Sequence, residues 1–157
     1  MRVLTPPEPV VLHPGEHAVF LAGSIDMGGA VEWQGELIAA LAGAAGVLLN
    51  PRRAHWPAAW TTDASSPEFR GQVGWELAGM ERAHTIAFHF APASRAPITL
   101  LELGLAARTG KAIVCCPDGF WRKGNVEVVC ATYGIPMVAD LAALAAAVRA
   151  RLAAAAP

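Results

Sequence analysis

Short apolar runs alternate along this chain with longer segments in which apolar positions recur at helical spacing. A continuous apolar run bounded by turn residues reads as a strand buried on both faces, whereas recurrence at i, i+3, i+4 and i+7 reads as a helix laid on a core. Residues 18–22 (AVFLA), stopped by Gly23, are the first predicted strand. A helix over about 30–41 follows, with Val31, Leu37, Ile38 and Leu41 on a partial stripe. Residues 46–50 (GVLLN) form a second strand that ends at Pro51, because the residue before a proline is pushed toward extended backbone. Residues 51–67 make a polar loop that carries Trp56 and Trp60; a loop of that length inside a domain is usually functional or poorly ordered. A helix over 68–82 leads into a third strand at 85–90 (TIAFHF), then a helix starting near Ile98 and a fourth strand at 112–117. Residues 118–125 (DGFWRKGN) read as a second loop of special composition, followed by a short helix and a fifth strand at 136–139. The last helix has Asp140 as its N-cap and repeats Leu141, Leu144, Val148 and Leu152 at helical spacing.

Strands alternating with helices predict an α/β fold of the flavodoxin-like or Rossmann-like kind: a five-stranded, mainly parallel sheet with helices on both faces. Five strands favour the order 2-1-3-4-5, whose topological switch lies between the first and third strands. A ligand crevice is therefore expected between the loop after Ala22 and the loop after Phe90. A single domain over 18–157 is expected, preceded by a proline-rich lead over 1–17.

Composition narrows the partners. The chain has 157 residues, of which 54% are hydrophobic and 16% charged, with a formal net charge of -1, as in a globular protein and not a disordered one. Its basic residues are scattered, apart from the pairs Arg52-Arg53 and Arg122-Lys123, so the stripe that a polymeric nucleic-acid partner requires is missing. No segment reads as a signal peptide or membrane span. Cys115, Cys116 and Cys130 lack a CxxC spacing and read as buried free thiols, which suits a reducing, cytoplasmic compartment. The histidines show no metal-ligand spacing, so no metal site is expected. Neither GxGxxG nor GxxxxGK[ST] occurs, and no cofactor is called for.

Candidate chemistry gathers at the predicted crevice. The loop Gly23-Ser24-Ile25-Asp26, continuing into Gly28 and Gly29, reads either as a plain strand-to-helix turn or as a cradle for a phosphate or sugar. Glu102 stands in an apolar setting (ITLLELGLA) that places it in the first turn of the helix after the third strand. It is either a glutamate that complements the macrodipole or an ionised carboxylate aimed at a ligand. Asn50 ends the second strand, and Arg52 with Arg53 follows it at the crevice edge, where a 5′-phosphate would be gripped or the arginines left solvated. Trp75 is placed to stack on a base or to fill the core, and Glu76 lies beside it on a helix leading to the site. His84 reads as a histidine at a helix end, bonded to its carbonyls.

The stretches FLAGSID, LLNPRR, FRGQVGWELAGMERA, ITLLELGLAARTGK and CCPDGFWRKGNVEVVC resemble nucleoside 2-deoxyribosyltransferases, particularly their bacterial transferase-like branch. The resemblance implies that Glu102 attacks the anomeric carbon of a (2-deoxy)nucleoside or nucleotide with retention. The base then leaves, and the glycosyl-enzyme is captured by another base or by water. It also implies that Gly23, Ser24 and Asp26 lie near the nucleobase and sugar. Asn125 is similar to an asparagine that reaches the sugar hydroxyl from a neighbouring subunit, so a homo-oligomer is implied. Two positions depart from the family, which carries acidic residues where this chain has His84 and Ala96; the resemblance then implies that His84 handles a proton in place of a carboxylate. A nucleotide-binding module without chemistry is the competing expectation.

Overall fold

A computed structural model describes residues 1–25, 31–54 and 61–155. Its elements run β1 (Arg2–Leu4), β2 (Ala18–Gly23), α1 (Trp33–Ala40), β3 (Val47–Leu49), α2 (Pro67–Arg82), β4 (Thr85–His89), α3 (Pro97–Ala106), β5 (Ala112–Cys115), α4 (Lys123–Tyr133), β6 (Met137–Val138) and α5 (Leu141–Ala154). The strands form one sheet in the order β1-β3-β2-β4-β5-β6. Every neighbouring pair is parallel. From β2 onward this is the expected 2-1-3-4-5 order.

The sixth strand is a correction to the expected five. β1 lies within the N-terminal lead and pairs in register with β3, Arg2 opposite Val47 and Leu4 opposite Leu49. Three residues that include an arginine show no readable period, so only pairing and the burial of Leu4 reveal it. The lead then runs back over α2, where the Trp75 indole Nε1 donates to the Glu8 carbonyl at 2.6 Å.

Alternation along each strand builds two cores. Phe20, Ala22, Val47, Leu49, Ile86, Phe88 and Val114 face α2, α3 and α4. Val19, Leu21, Leu48, Ala87 and Ile113 face α1 and α5, through Trp33, Leu37, Leu144, Val148 and Leu152. Burial on both faces is why these strands read as continuous apolar runs.

Helix ends follow local chemistry. Ser66 caps α2 by accepting from the Phe69 amide at 3.3 Å, and Pro67 opens the helix, where its missing N–H costs nothing. Asp140 caps α5 as expected, accepting from the Ala143 amide at 2.8 Å. α4 ends at Gly134, whose φ of 65° is the left-handed stop that glycine adopts without strain. The helix expected over 30–41 begins at Trp33 among the described residues. The loop expected over 118–125 ends earlier, because Val126 and Cys130 bury one face of α4 from its first turns, and this carries Asn125 onto the helix.

Gly79 sets the spacing between α2 and the sheet. A Cβ there would lie 2.8 Å from Cδ2 of Phe20, which is itself fully buried. Gly74 of the same helix has nothing within 4 Å. Gly79→Ala should therefore cost about 1–3 kcal/mol through overpacking, while Gly74→Ala should gain about 0.5–1 kcal/mol of helix propensity. Urea unfolding of both variants checks this, and equal effects would contradict the close approach.

Candidate active site

The carboxyl ends of β2 and β4 lie side by side, with Gly23 opposite His89 in the register. Backbone approach is tight: a Cβ at Gly23 would stand 2.5 Å from the Trp33 ring and 2.6 Å from the His89 carbonyl. Ser24 is 1% exposed and knits the turn together. Its amide donates to the His89 carbonyl at 3.3 Å, its Oγ accepts from the Ala91 amide at 3.3 Å, and its carbonyl accepts from the Trp33 indole at 3.2 Å. The chain therefore has a rigid shelf at the expected switch point.

Beside that shelf lies a cavity of about 670 Å³ between α2 and α3. Gly23, Ser24, Ile25, Pro51, Gln72, Glu76, Ala96 and Glu102 line it, with Leu77, Leu101 and Leu105 among its aliphatic walls. The size and the few polar groups in an apolar shell are those of a small-molecule site. A smaller cleft of about 340 Å³ lies on the other side of α3, lined by Leu100, Leu103, Gly104, Trp121, Arg122 and Asn125. The carboxylates belong to the larger cavity.

Glu102 is 8% exposed, and none of the described residues forms a hydrogen bond or ion pair with its carboxyl. Burial pushes its pKa up to about 8, and the negative charge of Glu76 adds to the rise. The sequence placed Glu102 in the first turn of its helix, where the macrodipole would favour the ionised form. The structure corrects this. Pro97 starts α3, so Glu102 falls in the second turn, beyond the reach of the helix end, and burial decides.

Glu76 is half-buried across the same cavity. Burial raises its pKa as well, opposed by the Gln72 hydrogen bond and the Arg53 charge. Gln72, which the sequence reading overlooked, is 3% exposed. It shares the buried face of α2 with Trp75 and Gly79, three and seven residues on, and that spacing was the available signal.

The other predicted site residues fall elsewhere. Ile25 lines the cavity, and Asp26 lies outside the described residues. Asn50 does not line it. Its Oδ1 accepts from the Arg52 amide at 3.0 Å, closing the turn that sets Pro51 in the wall. Arg52 donates from Nη1 to Oε1 of Gln34 at 3.5 Å, and Arg53 from Nε to Oε1 of Gln72 at 2.5 Å. Trp75 turns toward Phe20 and the lead and does not enter the cavity, so its indole is unavailable to stack on a ligand there. His84 sits at the amino end of β4, opposite to the cavity, where its Nδ1 accepts from the Ala18 amide at 3.1 Å and its ring lies 4.7 Å from His17. Asn125 faces the smaller cleft. One chain thus unites Gly23, Ser24, Ile25, Glu76 and Glu102, and leaves out Asn50, Trp75, His84 and Asn125.

A family model described as nucleoside 2-deoxyribosyltransferase like matches residues 16–120. No curated protein matches the chain. The matched span contains both glutamates and Gln72 but stops short of Asn125.

A carboxyl whose folded pKa is raised from 4.5 to about 8 holds its proton more tightly in the folded state. Its contribution to stability is full below the unfolded value and is lost as pH rises through about 8. Glu102→Gln should therefore raise the Tm by roughly 3 °C or more at pH 8, with the gain shrinking toward pH 5. Calorimetry across that range checks the sign, and a gain independent of pH would count against a protonated Glu102.

Proposed function

Because this chain belongs to the nucleoside 2-deoxyribosyltransferase-like family, we propose that it cleaves the N-glycosidic bond of a (2-deoxy)nucleoside or nucleotide through a covalent bond to Glu102. The observation that carries this reading is a nearly buried carboxyl without a hydrogen-bond partner among the described residues, facing a second carboxyl across a cavity of about 670 Å³. A buried carboxyl left unpaired is costly to keep, and a ligand is its natural partner.

In the reaction an oxygen of Glu102 bonds to the anomeric carbon as the carbon–nitrogen bond breaks, and the bonding pair leaves with the base nitrogen. Glu76 hands that nitrogen a proton. Another base or water then attacks the anomeric carbon, displaces Glu102 and returns a proton to the pair. The Ser24 shelf sets the floor against which the sugar is held. His84, at the far end of β4, takes no part in this scheme.

The decisive assay incubates the protein with a panel of nucleosides and nucleotides, with and without a free acceptor base, and reads released or exchanged base by chromatography. Wild type should turn over at least one member, and Glu102→Ala should lower kcat by 10³-fold or more, an order of magnitude taken from covalent nucleophiles. Equal turnover by the variant contradicts the mechanism. Binding by wild type without any cleavage favours a nucleotide-binding module, in which Ala96 and a protonated Glu102 mark chemistry that has been lost.

The smaller cleft bears on assembly. Trp121 is 46% exposed there, packed between the guanidinium groups of Arg95 and Arg122, and Asn125 stands beside it. Ile98, Leu101 and Leu105 leave the outer stripe of α3 apolar and exposed. This supports a homo-oligomer, at least a dimer, in which residues 118–125 help complete a neighbour's site; its buried thiols suit a cytoplasmic setting. Light scattering at assay concentration should report a dimer or larger species, and a monomer that remains fully active would overturn the arrangement.

A further inference from the structure

Gln72 and Glu76 are four residues apart on α2, so their side chains meet on one face of the helix. A primary amide has two N–H donors and one carbonyl acceptor, and Gln72 spends all three functions on fixed partners. Its Nε2 donates to the Pro51 carbonyl at 3.0 Å and to Oε1 of Glu76 at 2.8 Å, while its Oε1 accepts from Nε of Arg53 at 2.5 Å. A flipped amide would set oxygen against two acceptors and nitrogen against a donor. The orientation is therefore determined, and with it a permanent donor at Glu76.

Glu102 has no such donor among the described residues. The two carboxyls share one cavity but not one environment. Among the described residues lining that cavity only Glu76 and Glu102 titrate, and Arg53 is the cation that acts on Glu76. A hydrogen bond to the charged form of an acid favours that form, and a charge already on one carboxyl disfavours a charge on its neighbour.

We infer that Gln72 is a positioning residue: by donating to Glu76 it decides which of the two glutamates carries the charge and which keeps the proton in the empty site. With the cavity empty the charge rests on Glu76 and the proton on Glu102. The consequence for the proposed reaction, on which the catalytic part of this inference rests, is an inventory of one proton. As Glu102 bonds to the anomeric carbon it releases that proton to Glu76, and Glu76 passes it to the departing base nitrogen. No external acid is consumed, and the competent state is the singly protonated pair.

The placement of the proton is testable without turnover. Glutamate labelled with ¹³C at its carboxyl carbon, followed by NMR while the ligand-free protein is titrated, should show Glu76 ionising in the lower step and Glu102 in the upper step near pH 8. Gln72→Met keeps the shape and removes the donor. It should raise the lower step by about 1 pH unit, as expected for losing a hydrogen bond to a charged group, and should spread the upper step over both carboxyls. Arg53→Met, which leaves the amide in place, should move the lower step in the same direction by less, and it serves as the test if Gln72→Met does not fold. Where wild type turns over, its kcat/KM should fall on both sides of a plateau that ends near pH 8, and Gln72→Met should shift the acid limb by the same amount as the NMR step. An unchanged titration in a folded Gln72→Met protein, or an upper step read at Glu76, overturns the inference. Absence of turnover by wild type defeats the glycosyl-transfer reading alone, since the NMR result decides proton placement by itself.

Discussion

The whole site depends on the reversal of strand order between β2 and β4. From β2 the chain crosses to α1 on one face of the sheet, and from β4 it crosses to α3 on the other. Two chains that leave adjacent strands in opposite directions cannot fill the space between their first turns, so a crevice opens at the carboxyl edge. Here α2 forms its second wall, because that helix feeds β4 from the same face that α3 occupies. Gly79 brings α2 against Phe20 closely enough that Glu76 and Gln72, one and two turns earlier, hang over the strand ends. Packing at the bottom of the helix thus positions the polar groups at its top.

Inside that crevice two effects compete over the charge of Glu102. A helix amino end contributes about 0.3–1 kcal/mol to an anion in its first turn. Moving a carboxyl pKa from 4.5 to about 8 corresponds to roughly 5 kcal/mol in favour of the protonated form. Burial wins by a wide margin. Glu76 follows the same rule to a smaller extent, because Gln72 and Arg53 answer part of its loss of water. Environments that push two neighbouring carboxyls apart are the usual sign of separate acid and nucleophile roles.

The strands from β2 to β5 were legible because burial on both faces leaves an unbroken apolar signature between turn residues, and the order followed from their alternation with helices. The start of α5 was legible through Asp140, whose capping chemistry is local, whereas the Ser66 cap and Pro67 of α2 were read as the end of the preceding loop. What escaped depends on distant partners. β1 exists only through its pairing with β3, and Trp75 points at the lead because Glu8 offers a carbonyl there. His84 is carried to the amino edge by its place before Thr85, a distinction that only the direction of β4 makes. Glu102 was legible as a carboxyl beside the crevice but not in its protonation, since one proline at position 97 sets the turn on which it falls. Gln72 looked like one more polar residue on a polar helix, although its spacing from Trp75 and Gly79 put it on the inner face.

Ala96 connects the backbone to this electrostatic arrangement. It lines the cavity at the N-cap of α3 with φ 40° and ψ 51°, a left-handed conformation that costs alanine more than it costs aspartate or asparagine. An acidic residue here would relax the backbone and also bring a third carboxyl to a cavity lined by Glu76 and Glu102. With alanine the turn keeps some strain, held in place by the Ala96 amide donating to Oγ of Ser94 at 3.1 Å. Among the described residues the cavity then keeps a pair of carboxyls in place of a triad. In the proposed reaction a pair with one proton supplies both the nucleophile and the acid in the same turnover. Alanine at this position therefore leaves the proposed proton transfer to Glu76 and Glu102 among the described cavity residues.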